Sequence, residues 1–97
     1  DGSKKFETTA NGIHMIGNAN TTTGNFYPIS DNGADLGLSN RRWSNVYTMD
    51  LQLSNKGSQN SVDGTWGNYT IQEGESDLYL INNRSGKKYR FLLQEVS

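Results

Sequence analysis

The chain has 97 residues, 32 % of them apolar, with 11 glycines, no cysteine and a formal net charge of −1. That length fits one small domain or a segment of a longer protein, and without cysteine neither thiol chemistry nor a disulfide staple is open to it. Positive and negative residues are interspersed, which gives no basic footprint for nucleic acid, and no apolar run nears the ~20 residues of a helical membrane span. Ordering each residue costs roughly 1.5 kcal/mol. A sequence this poor in apolar side chains therefore reads as one that gains its core by association.

From the N-terminus, Phe6 and Thr8 alternate with polar neighbours, and Ile13 and Met15 alternate again beyond Asn11-Gly12. Asn-Gly between two alternating runs signals a tight hairpin turn, so strands are predicted over about 4–9 and 13–17. His14 falls on the face opposite Ile13 and Met15 and reads as a surface histidine, since the local sequence supplies no companion metal ligands. Residues 17–25 are polar and aperiodic, a loop. Phe26-Tyr27-Pro28-Ile29 is a short apolar island that Pro28 confines to an edge or an irregular extended piece. Asp31-Asn32-Gly33 is a turn. Asp31, Asn32 and Asp35 look like the opening of a calcium loop, but position 42 is arginine where a closing glutamate would stand, and no metal is assigned.

The chain is organised around Asp35-Leu36-Gly37-Leu38-Ser39-Asn40-Arg41-Arg42-Trp43-Ser44-Asn45-Val46-Tyr47. Gly37 suits a sharp bend, Ser39-Asn40 suits the cap of a short helical turn over 40–45, and Val46-Tyr47-Thr48 returns to strand formers. Thr48 to Ser54 then alternates, with Met49, Leu51 and Leu53 on one face of a half-buried strand. Residues 55–61 are polar or glycine and divide the chain into a subregion 1–57 and a subregion 58–97. In the second, Asn68–Gln72, Leu78–Ile81 and Lys88–Gln94 read as a three-stranded antiparallel meander joined by turns at 74–76 and 82–86. The middle strand is apolar on both faces and so central. The meander needs a cover for one face, from residues 43–53 or from a second copy.

Nothing in this sequence assembles an active site. The lone histidine has no serine–glycine elbow near it, no glycine run opens a helix with lysine, and Glu73-Gly74-Glu75-Ser76-Asp77 reads as a solvated acidic turn. No catalytic residue, metal or cofactor is assigned. Recognition remains. Trp66 between two glycines, Tyr69, and the loop residues Asn82, Asn83 and Arg84 are the candidate contacts to a receptor, because aromatic faces cover sugar C–H patches while amides bond hydroxyls.

The run Asp35–Tyr47 resembles a short module that recurs in the distal fibre proteins of tailed bacteriophages, where it precedes the fibre tip or an endosialidase-type intramolecular chaperone. Asp1–Thr9 and the stretch from Asp63 to Val96, including Thr70-Ile71-Gln72-Glu73-Gly74-Glu75-Ser76-Asp77-Leu78-Tyr79-Leu80-Ile81-Asn82-Asn83 and Gly86-Lys87-Lys88-Tyr89-Arg90-Phe91, are similar to marine-phage-like tail fibres. The resemblance implies an all-β homotrimer at the distal end of a virion fibre. Leu36, Trp43, Val46, Tyr47, Met49 and Leu51 would meet around its axis. It further implies binding, without catalysis, to a bacterial surface glycan or outer-membrane protein, with no nucleic-acid or membrane-inserted partner. Two alternatives stand beside it: a purely structural knob that registers the trimer, and a glycan-hydrolysing or self-processing module.

Overall fold

The computed structural model describes residues 25–97 together with two strands of the N-terminal part, 6–9 and 12–15. The chain divides into two compact units, Asp1–Arg42 and Trp43–Ser97. The described residues contain strands, turns and irregular segments and no helix, so this part of the chain is all-β.

In the first unit, β1 (Phe6–Thr9) pairs antiparallel with β2 (Gly12–Met15). The hairpin is as expected, but its register corrects the turn. Phe6 faces Met15 and Thr9 faces Gly12, so Gly12 belongs to the second strand and the two connecting positions are 10 and 11. Those two positions, residues 17–24 of the predicted loop 17–25, and the outer ends of the predicted strands at 4–5 and 16–17 lie outside the described residues. His14 pairs with Glu7.

Farther along, Ser30 to Gly33 form the expected turn, closed by the Gly33 amide donating to the Ser30 carbonyl at 3.1 Å. Asn32 takes a φ of 58°, a conformation that asparagine tolerates better than most residues. At the predicted corner Gly37 sits at φ 91°, as its choice there requires. Leu38 and Arg41 then exchange two backbone hydrogen bonds of 3.1 Å each around Ser39-Asn40. The pair Ser39-Asn40 is thus the tip of a tight hairpin-like turn.

The second unit is a four-stranded antiparallel meander. β3 (Leu51–Ser54), β4 (Asn68–Glu73), β5 (Leu78–Asn82) and β6 (Lys88–Arg90) lie side by side in chain order. The three predicted meander strands are all present, with β5 in the interior of the sheet. Its last strand is shorter than the alternation suggested, although the Phe91 amide still donates to the Leu78 carbonyl at 2.9 Å.

The addition is β3. Residues 51–54 were a candidate cover for the sheet; instead they extend it edgewise, Leu51 opposite Ile71 and Leu53 opposite Tyr69. Val46–Asp50 forms no strand, so the predicted return at 46–48 and the early start at Thr48 are corrected. Within the single chain the half-burial expected of 48–54 is not found, because every residue of β3 is exposed.

Register sorts the side chains. Leu51 and Leu53, Tyr69 and Ile71, Leu78 and Leu80, and Tyr89 share one face. Gln52, Thr70, Gln72, Tyr79, Ile81, Lys88 and Arg90 share the other. The second face carries polar bonds of its own around Thr70. The Thr70 hydroxyl donates to Gln52 Oε1 at 2.7 Å and accepts from Asn83 Nδ2 at 2.9 Å, while Gln72 Nε2 donates to Asp50 Oδ2 at 3.2 Å. Thr70, at 6 % exposure, is the one buried residue among the described residues. The apolar face has nothing comparable over it. Leu51 and Leu53 remain 45 % and 46 % exposed, and no described apolar side chain is buried.

Candidate functional site

Antiparallel order puts the two long connections of the sheet at one end. Residues 55–67 join β3 to β4, and residues 83–87 join β5 to β6. The opposite end holds the short turn 74–77, in which the Gly74 amide donates to the Asp77 carbonyl at 2.8 Å. Recognition surfaces are usually loops held on a rigid scaffold, and here both loops are fastened to the sheet and to each other.

The longer loop is clamped at its base by Asn55 and Gly67. The Gly67 amide donates to Asn55 Oδ1 at 2.7 Å, and the Asn55 amide donates to the Gly67 carbonyl at 3.3 Å. Its interior is built around Asn60, whose Oδ1 accepts from the amides of Val62 and Asp63 at 2.7 and 2.9 Å. Asn60 Nδ2 donates to Asp63 Oδ1 at 2.7 Å and to the Thr65 carbonyl at 2.8 Å. Asp63 Oδ1 accepts two more bonds, from the Thr65 hydroxyl at 2.7 Å and the Thr65 amide at 3.1 Å.

These bonds favour the charged carboxylate. The bond from Asn60, followed by those from Thr65, holds the Asp63 carboxyl below the 3.8 of an ordinary aspartate. A depressed value means that the ionised form stabilises the loop, fully so above the unfolded value, and that this support is lost as pH falls through the lowered one. We expect the amides of Val62, Asp63 and Thr65 to be protected from exchange at neutral pH and to lose protection in that acid window. A pH titration followed by NMR checks it, and protection that is flat through the titration of Asp63 would contradict it.

Of the candidate contacts read from the sequence, Trp66 is half-buried rather than free at the surface. The Arg84 guanidinium carbon lies 3.7 Å from its ring centroid, and an Arg84 guanidinium nitrogen donates to the Trp66 carbonyl at 2.9 Å. Lys56 Nζ lies 5.9 Å from the same ring. Arg84 therefore ties the two loops together.

Asn82 and Asn83 are also engaged. Asn82 Oδ1 accepts from the amides of Arg84 and Ser85 at 3.0 and 3.2 Å, and its Nδ2 reaches the Tyr69 hydroxyl at 3.4 Å. Asn83 Nδ2 donates to Asn68 Oδ1 at 3.0 Å as well as to Thr70. The structure thus brings Trp66 together with Arg84, and Tyr69 together with Asn82, while Asn83 turns toward the polar face of the sheet.

Arg84→Ala should release Trp66, at a cost of about 1 kcal/mol from the lost stack and bond. In a Trp43→Phe background the expected readout is red-shifted, more readily quenched Trp66 fluorescence. Arg84→Lys should restore little of it, because an ammonium keeps the charge without the planar stack. An unchanged emission in Arg84→Ala would show that the contact does not shield the indole.

Between Trp66 and the sheet lies an open cleft of about 480 Å³, lined by Leu53, Asn55, Asp63, Thr65, Trp66 and Tyr69 among others. Gly67 makes its geometry possible, because a Cβ there would fall 2.9 Å from a ring carbon of Tyr69. Sequence reasoning found Trp66 and Tyr69 but missed Asn55, Asn60 and Asp63. The signal for them is the spacing Asn60-x-x-Asp63-Gly64-Thr65, in which short polar side chains can bond the loop's own amides. Of the residues expected at a trimer axis, Leu36, Trp43, Val46, Tyr47, Met49 and Leu51 are all exposed in the single chain, from 45 % at Leu51 to 92 % at Tyr47.

No family model matches the chain, and no similar curated protein or solved structure is found.

Proposed function

We propose that this chain forms the distal end of a bacteriophage tail fibre, a homotrimer that attaches the virion to a bacterial surface glycan or outer-membrane protein by binding alone. One observation carries the reading: no described apolar side chain is buried within the chain. A one-layer sheet with an uncovered apolar face does not hold itself closed, since burial of that face is what offsets the entropy of ordering the backbone. Copies of the same chain supply the missing layer. The number three comes from the fibre resemblance of Asp35–Tyr47 and of the C-terminal stretch. The shared core would join Trp43, Val46, Tyr47, Met49 and Leu51 with Ile71, Leu80 and Tyr89 of the sheet.

The receptor part of the proposal is supported by the loop end of the sheet, where an indole, a phenol, amides and a carboxylate surround one open cleft. Multivalent display of three such ends raises a weak single-site affinity by avidity.

Sedimentation velocity tests the assembly. The expected mass is about three times the 10.8 kDa of one chain. The melting temperature should rise with protein concentration, as mass action requires of an obligate oligomer. A folded monomer whose melting is independent of concentration overturns the proposal.

A second reading, a structural knob that registers the trimer while contact is made elsewhere, is favoured by Asn82, Asn83 and Arg84, whose polar groups bond within the chain. Adsorption of fibres to host cells with and without this segment separates the two. Loss of adsorption supports attachment, and full adsorption supports the knob.

A further inference from the structure

We propose that the cleft between Trp66, Tyr69 and Asp63 is a subsite for one neutral pyranose ring of a surface glycan, an assignment that rests on the receptor-binding reading above. The volume of about 480 Å³ falls within the range of about 300–1,000 Å³ typical of small-ligand clefts. Its lining includes Trp66, Tyr69 and Leu53, residues whose apolar surface is of the kind that covers the C–H face of a sugar.

The polar groups narrow the ligand class. All three bonds to Asp63 converge on Oδ1, and Oδ2 has no partner among the described residues. Asn55 directs Oδ1 to the Gly67 amide, and its Nδ2 has no partner among the described residues. The lining thus holds a fixed carboxylate acceptor and an amide donor. Adjacent sugar hydroxyls, each both donor and acceptor, complement such a pair. The loop bonds that immobilise Asp63 and Asn55 are in place before any ligand arrives, which lowers the entropy lost on binding.

Charge sets the sign of the preference. Asp63 is the charged residue among the described lining, while Arg84 and Lys56 lie 3.7 and 5.9 Å from the centroid of the Trp66 ring and are not part of the lining. A carboxylate there repels uronic and sialic acids and accepts from neutral hydroxyls.

The test uses the whole chain in a Trp43→Phe background, so that fluorescence reports on Trp66. The probes are the methyl glycosides of glucose, galactose, mannose and N-acetylglucosamine, with methyl glucuronide as the anionic arm. We expect at least one neutral glycoside to shift the Trp66 emission saturably, with a Kd of about 1 mM for so small a ligand, and methyl glucuronide to bind more weakly. Asp63→Asn and Asn55→Asp should each weaken the neutral glycoside about tenfold, the effect of losing one well-made polar contact. Asn55→Asp retains the acceptor for the Gly67 amide, so it tests the cleft even if Asp63→Asn disturbs the loop. No saturable shift with any neutral glycoside, tighter binding of methyl glucuronide, or parental affinity in both variants overturns the subsite. Capture of bacterial cells by a protein that binds no glycoside leaves receptor binding standing and removes only the cleft; failure of both removes the receptor reading too.

Discussion

Leu80→Asp should abolish assembly and leave a monomeric chain that no longer melts cooperatively. Leu80 sits on an interior strand of the sheet, opposite Ile71 on one side and Tyr89 on the other. In a single chain it is only half-buried. If the sheet ended its folding in that state, aspartate would cost about 1 kcal/mol or less, the span of strand preferences and ordinary surface changes. In a trimer closed over this face, each copy carries an uncompensated carboxylate into the shared interior, at a cost of several kcal/mol per copy. The two cases are far apart, so sedimentation and thermal melting decide between them. Lys88→Glu is the matched control: Lys88 is exposed on the polar face opposite Ile81, and a change there should stay within about 0.5 kcal/mol. Parental mass and parental melting in Leu80→Asp would remove the apolar face from the assembly.

The meander was legible in the sequence because its strands alternate and its turns carry glycine. Tyr69 and Ile71, Leu78 and Leu80, and Tyr89 fall on one face by simple parity, and that is the face they share. β3 was legible as a strand but not as a neighbour of β4. The same alternation of Leu51 and Leu53 serves a strand that covers a sheet and one that extends its edge, and only the pairing with Tyr69 and Ile71 separates the two.

Gly12 was read as a turn residue for a related reason. Asn11-Gly12 has the composition of a turn centre, yet the pairing of Thr9 with Gly12 takes the glycine into the strand. Ser39-Asn40 has side chains equally suited to a cap and to a tight turn, and the two hydrogen bonds between Leu38 and Arg41 make it the tip of a turn. At the candidate site, aromatic residues stand out in any sequence and amides do not. Trp66 and Tyr69 were therefore visible, whereas the roles of Asn55 and Asn60 follow from which backbone amides come within reach after the loop closes.

Asn60→Ala should cost about 2–3 kcal/mol and dissolve the loop while sparing the sheet. The side chain of Asn60 accepts from two backbone amides and donates to a carboxylate and a carbonyl, at 2.7 to 2.9 Å. A typical intramolecular hydrogen bond is worth about 1 kcal/mol net. Water replaces part of that at the exposed partners, so the total falls short of four full bonds. The backbone bond from the Asn60 amide to the Thr65 carbonyl at 2.9 Å does not need the side chain, and neither does the pairing of β3 with β4. The loss should therefore be local. Amide exchange is expected to accelerate at Val62, Asp63 and Thr65 and to stay slow at Thr70 and Ile71. Asn60→Asp sharpens the test, because it keeps the acceptor for the Val62 and Asp63 amides but sets a second carboxylate beside Asp63 Oδ1. Its loop should be loose at neutral pH and should tighten where acid protonates one of the two groups, the opposite of the parental response. Unchanged exchange at Val62 and Asp63 in Asn60→Ala would mean that the loop is held by something other than this side chain, and the preorganised carboxylate of the cleft would lose its basis.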